Sequence, residues 1–372
     1  MNKVFSLLFC ILLLSHVALG DFDFNSVVSI SKDDDVVRAY ASVQLPGGFI
    51  ATGVSVDGSL VEGDGVNVDT SFFKFSTLGS FPILQWFYYH GSVSAGAGGS
   101  IDISTSALSS AYIPTYVIEY VEKNGQEGLQ IGEDDIVGHI NLAKYTYDVD
   151  IETNKQATGF NVYHITATSS NGLFQMNFTL ADQPVEVDGN RISAEQTKID
   201  IGIYNYYDDK VNKASSTILC KDLACGSTGP SSNQSSLALL SFYAAGKFDL
   251  DLSGNAGITV QNDNGIYAGF NWVSNAKVTK EDGTVSVSAN VVTSVNGTDN
   301  QVYGSAQISG IFTADASHKF LVQSFEGIRP SAVEWDPTMG GASEKFQNEN
   351  SGFRIASSFV LVLVGLVAAL LL

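Results

Sequence analysis

The feature that most narrows what this chain can fold into is alternation. Run after run places apolar and polar residues at every second position, the mark of strands buried on one face. VVRAYASVQ from Val36 and FIATGVSV from Phe49 flank LPGG, a turn of the kind hairpins use. In FNVYHITATSSNGLFQMNFTLA, residues Ser170, Asn171 and Gly172 separate two alternating runs, the clearest hairpin signal in the chain. AKVTKEDGTVSVSANV turns through Asp282 and Gly283 in the same way. KIDIGIYNYY around Ile199, KFDLDLSG from Lys247, VSVSANVVTSV from Val285 and VYGSAQISGIFT from Val302 repeat the theme. Helical periodicity is confined to SSLALLSFYAA from Ser235 and the FPILQWFYY run, both of which read equally well as buried strands. The expected class is therefore all-β: one large or two consecutive β-sandwich, barrel-like domains.

Composition turns rich in Ser, Gly and Pro at 226–236, GSTGPSSNQSS. As a linker it divides a first β-sandwich domain, 21–225, from a second β-sandwich region, 237–337; in a single large sandwich it is a surface loop. Residues 338–350, TMGGASEKFQNEN, lose alternation and are expected to form a polar stalk.

Both ends carry targeting patterns. Residues 1–20 have Lys3, an apolar core from Val4 to Leu14, and small residues at Ala18 and Gly20, as a cleaved signal peptide does. A signal-anchor helix would need a longer apolar core. At the other end, small residues Asn350, Ser351 and Gly352 precede the spacer FRIASS and the uncharged run Ser357–Leu372. That order is the one a glycosylphosphatidylinositol (GPI) signal requires, with Asn350 as attachment site and 351–372 removed. A retained tail-anchoring helix is the alternative, but the run is short for a bilayer and no Lys or Arg follows it. The expected location is the extracellular face of the cell membrane, reached through the secretory pathway, with the outer leaflet as a partner through the lipid.

The formal charge is −20 over the whole chain. Removing both signals takes away Lys3 and Arg354 and none of the 39 acids, which moves it to −22. Such an acidic balance argues against nucleic acid as a partner and against anionic lipid. Cys10 leaves with the signal, so Cys220 and Cys225 in CKDLAC form an even, close pair, expected to close a small disulfide loop in an oxidising compartment. Sequons begin at Asn177, Asn233 and Asn296, candidate glycosylation sites for an exported chain.

Catalytic motifs are scarce. His90, His139, His164 and His318 fall in no metal-binding spacing, and no G-x-S-x-G elbow or phosphate-cradling glycine loop is present. AGAGGS at Ala95 is not followed by a helical pattern, so it reads as a loop. The acidic stretch EYVEKNGQEGLQIGEDD offers Glu122, Asn124, Gln126 and Glu133 as oxygen ligands beside a glycine turn, the chemistry Ca²⁺ favours. It fits the EF-hand pattern poorly, since Glu127 stands where glycine belongs; an exposed turn of solvated acids is the simpler reading. Ca²⁺ is thus the one candidate cofactor. Trp86, Trp272, Trp335 and the group Tyr204, Tyr206 and Tyr207 could stack on sugars if exposed, but such residues more often fill cores.

In layout the chain resembles GPI-tethered, β-rich surface proteins of eukaryotes, a resemblance that assigns no site. The expected function is a non-catalytic cell-surface recognition, adhesion or coat module with an extracellular protein or glycan as ligand, which accounts for this layout and for the absence of a catalytic motif. Two other expectations stand beside it: a surface glycan hydrolase using paired carboxylates, and an acidic calcium-binding matrix component.

Overall fold

The computed structural model describes residues 26–341 except 34–35, 46–47, 60–64, 78–80, 96–100, 124, 156–160, 182–184, 188–189, 193–195, 212, 214–232, 246–248, 255–256, 262–266, 281 and 294–316. The two terminal signals, Asn124, Cys220, Cys225, Asn296 and Asn350 lie outside the described residues. What is described is an all-β, antiparallel, nearly closed barrel-like sheet.

Six long strands open the chain as a meander: β1 (Ser26–Asp33), β2 (Val36–Leu45), β3 (Gly48–Ser59), β4 (Gly65–Ser76), β5 (Ile83–Ala95) and β6 (Ile101–Val121). At 21 residues β6 is long enough to pair with β5 along its first half and with β7 (Asp135–Asn141) along its second. The single helical turn among the described residues, Leu142–Lys144, follows; Asn141 Oδ1 accepts from Ala143 N at 2.9 Å and caps it.

A second layer begins with β8 (Tyr147–Lys155), β9 (Asn161–Ser169) and β10 (Phe174–Ala181), passes a small hairpin of β11 (Val185–Val187) and β12 (Asn190–Ile192), and reaches β13 (Gln196–Tyr204). Further on come β14 (Ser236–Ala245), β15 (Asp249–Gly254), β16 (Gly257–Gln261), β17 (Tyr267–Asn271), β18 (Asn275–Lys280) and β19 (Gly283–Thr293). Then β20 (Ser317–Phe325), β21 (Ala332–Trp335) and β22 (Thr338–Gly341) finish the described chain. Strand β14 lies between β6 and β20, while β13 pairs with both β21 and β22. Strands on the two sides of residues 226–236 are therefore hydrogen-bonded to each other. The layers are joined through β19, whose first half pairs with β18 and whose second half pairs with β20.

Aromatic residues fill the space between layers. Tyr40 stacks on Tyr163 at 4.3 Å, Phe49 and Phe75 each meet Phe178 at 5.2 Å, and Tyr112 stacks on Phe270 at 4.5 Å. Phe325 meets Trp335 edge-on at 6.2 Å. Each pair links one layer to the other, and each is worth about 0.5–1.5 kcal/mol beyond the area it buries.

One boundary differs from the sequence expectation. Residues 338–341, assigned there to the stalk, form β22 between β13 and β17. Alternation fails as a signal here because Gly340 and Gly341 have no side chain to alternate, and Gly340 adopts φ 139°. The Trp335-Asp336-Pro337 triplet accordingly closes β21, and another strand follows it.

Candidate functional site

Three polar groupings stand out. The first is the acidic turn between β6 and β7. Asp134 is fully buried and accepts twice from backbone: Lys123 N to Oδ1 at 3.0 Å and Gln130 N to Oδ2 at 2.7 Å. Glu122 Oε1 takes Gly128 N at 3.0 Å, and Lys123 Nζ pairs with Asp135 at 2.7 Å. Positive φ values at Gly125, Gly128 and Gly132 let the chain coil tightly enough for these bonds. The carboxylates therefore organise their own loop. Of the calcium candidates, Glu122, Gln126 and Glu133 are exposed, and Glu122 is engaged with a backbone amide. Among the described residues, no group of three or more His, Cys, Asp or Glu is placed to hold a metal ion.

The second grouping is internal. Glu119, on β6, is 1% exposed. Ser235 Oγ donates to its Oε1 at 2.7 Å, and Lys213 Nζ lies 3.7 Å from its Oε2. Lys213 also sits over the rings of Tyr206 and Tyr207, at 4.7 and 5.0 Å. Arg329, held at φ 44°, covers the Tyr207 ring at 4.6 Å and donates its backbone N to Ser235 O at 2.9 Å. Tyr207 OH donates to the same Ser235 carbonyl at 3.2 Å. Opposite Glu119 on β7 stands Gly138, where a Cβ would meet Glu119 Oε2 at 3.1 Å and Tyr206 OH at 3.3 Å. Burial pushes both phenols above the usual tyrosine range, so they stay protonated; the Glu119 charge adds to this. The cluster fastens the entry of β14 to β6, β7 and the end of β13. No local signal marks it in the sequence, where Glu119 is one acid inside an apolar strand.

The third grouping is the outer face of the second layer. By register its rows run His164–Thr179–Lys198, Thr166–Asn177–Asp200 and Thr168–Gln175–Gly202 across β9, β10 and β13. Lys198 is 3% exposed, pairs with Asp200, and lies 3.9 Å from Asp336. Burial raises the Asp200 carboxyl, opposed by the Lys198 charge. Gly202 leaves a gap that the Tyr204 ring covers: a Cβ there would fall 2.4 Å from Tyr204 Cε2. Tyr204 OH reaches Glu334 Oε1 at 3.5 Å.

The sequons separate by environment. Asn233 is exposed in a turn, while its Ser235 is buried against Glu119. Asn177 sits on the central strand β10, its Oδ1 buried without a partner. Trp86, Trp272 and Trp335 are all core residues, and Trp335 Nε1 donates to Val273 O at 3.1 Å. Of the tyrosine run, Tyr206 is buried and Tyr204 and Tyr207 are half-buried. His164 lies 3.3 Å from Thr179 Oγ1 within the sheet, and His139 is buried with Nδ1 unpartnered.

No model of a known protein family matches this chain, and no curated protein is detectably similar to it. Among the described residues, no helix is long and apolar enough to cross a membrane.

Proposed function

We propose that the protein is a non-catalytic recognition or adhesion module of the cell surface, exported and held on the outer leaflet by a GPI lipid. The observation that supports this reading is the outer face of the second layer. There, the half-buried Thr166, Thr168, Gln175 and Asp200 of β9, β10 and β13 stand in register on a hydrogen-bonded sheet, beside the buried Thr179 and Lys198. Polar groups fixed on strands lose little freedom when a ligand docks, which favours affinity for polar partners such as glycans or protein loops. Tyr204, lying across Gly202 at the edge of these rows, adds an aromatic surface of the kind sugars stack on. The export signal, the anchor signal and the sequons belong to the same reading.

Beads coated with the protein test it, presented to cells, to a glycan array and to beads carrying the same protein. Binding that falls at least tenfold in Thr166→Lys and Tyr204→Ala variants is the expected result. Beads that bind none of the three would refute the proposal.

A further inference from the structure

The meander β1–β6 carries two opposite polarity patterns along its length. Near Phe49, Phe73, Phe75, Leu84 and Trp86, alternate residues are buried in the aromatic core. Followed along the same register, that line of positions turns polar: Ser55, Asp57, Asn67, Asp69, His90, Ser92, Ser104 and Ser106. The pairing Ser55–Asp69–His90–Ser106 is direct, with no shift of register between these strands.

The intervening register is mainly apolar. Its rows run Val28–Ala41–Thr52–Phe72–Phe87–Ser109, Ile30–Ala39–Val54–Thr70–Tyr89–Ala107 and Lys32–Val37–Val56–Val68–Gly91–Thr105, and then Val66–Val93–Ile103. Here the register continuous with the core is polar, and the register away from it is apolar. A sheet with one face on the core and one in water has the reverse.

We propose that this face of β1–β6 docks on the hydrocarbon of a lipid bilayer. A polar register and an apolar register alternating at a period of two is the pattern of strands that meet lipid. From Ile50 to Gly58, β3 rises about 27 Å at about 3.4 Å per residue, close to the thickness of a hydrocarbon core of about 30 Å. Charge on this register is confined to Lys32, near the end of β1, and Lys74, in the row beyond Phe72. Phe72, Phe87 and Tyr89 occupy two adjacent rows near the Lys74 end, the place of an aromatic girdle. Phe87 is 41% exposed and meets Phe72 edge-on at 5.7 Å. The formal charge of −20 selects zwitterionic over anionic lipid. This inference stands apart from the lipid-anchor proposal, because the face belongs to the strands and not to the tail.

The test is photolabelling of the full-length wild-type protein in phosphatidylcholine vesicles that carry a carbene-generating acyl chain, with labelled residues mapped by mass spectrometry. Label on Val54, Val56, Val68, Val93 and Phe87 is expected at least tenfold above that on Ser55, Asn67 and Ser92. A Val68→Asp variant is expected to lose most of the label on neighbouring strands, while Ser55→Asp retains it. Equal labelling of both registers, or label confined to the C-terminal tail, would overturn the proposal. So would cross-links between copies through Phe87 that form in the vesicles and block labelling, since the face would then belong to a second copy of the chain.

Discussion

Ser235 donates its hydroxyl to Glu119 across 116 positions of sequence, at 2.7 Å and out of contact with water. The bond joins the residue just before β14 to the C-terminal end of β6, and the Glu119 carboxylate also faces Lys213. Removing the acid leaves a buried hydroxyl and a partly buried ammonium without their partner. Glu119→Ala is expected to lower unfolding stability by about 2–4 kcal/mol, measured by urea denaturation. Ser235→Ala should cost about 1 kcal/mol and also erase the Asn233 sequon, whereas Ser235→Thr keeps the sequon. A Glu119→Ala protein as stable as wild type would show that the cluster holds nothing.

His139 supplies a pH signature. Burial, and secondarily the Lys144 charge, brings its imidazole from 6.5 down to about 4. Because the folded value lies below the unfolded one, the unfolded chain binds the extra proton between these values. Stability is therefore full above about pH 6.5 and falls as pH drops toward 4. The loss assignable to this residue is about 2 kcal/mol after allowing for solvent screening. In a His139→Gln protein the decline between pH 6.5 and 5 should flatten; an unchanged slope would contradict the assignment.

Two glycines should respond differently to alanine. At Gly48 a Cβ would lie 2.3 Å from the Phe75 carbonyl oxygen, so backbone of the paired strand must move, at a cost of about 2 kcal/mol or more. At Gly202 the obstacle is the Tyr204 ring, which can swing away. Gly202→Ala should cost under about 1 kcal/mol. Thermal melts of the two variants decide this, and the reverse order would refute it.

The hairpins were legible in the sequence because their turn chemistry is local. Gly172 at φ 69° lies between β9 and β10, and Gly283 at φ 128° opens β19 at the Asp282-Gly283 turn. The runs that periodicity left open between helix and strand, FPILQWFYY and SSLALLSFYAA, lie largely in β5 and β14, each paired on both edges. What alternation does not carry is partner choice. Nothing local says that β6 meets β14, or that β13 meets β21 and β22, and the Glu119 cluster exists only because those pairings do. The acidic turn shows a related limit. Composition marks Glu122 and Glu133 as oxygen donors, but whether an oxygen faces a cation or a backbone amide depends on how the loop coils.

That coil carries a prediction for metal. With Asp134 and Glu122 engaged by backbone amides, Ca²⁺ at millimolar concentration should shift the melting temperature by less than about 1 °C relative to EDTA. A rise of several degrees would support the calcium reading of Glu122, Asn124, Gln126 and Glu133.

Exposure of the sequons predicts their occupancy. Asn233, in an exposed turn, should carry glycan in nearly every molecule, and Asn177, held within the sheet with its Oδ1 buried, in few. Glycosidase treatment in heavy-oxygen water followed by peptide mass spectrometry reads both sites. Because Ser235 is buried once β14 docks, Asn233 has to be modified before folding completes.

The proposal of a lipid-tethered surface module is tested most directly on intact cells expressing the full-length chain. Treatment with phosphatidylinositol-specific phospholipase C should move most of the protein into the medium, with the carboxyl terminus of the released chain at Asn350. Retention on cells whose other GPI-linked proteins are released, with residues 351–372 still present, would contradict it.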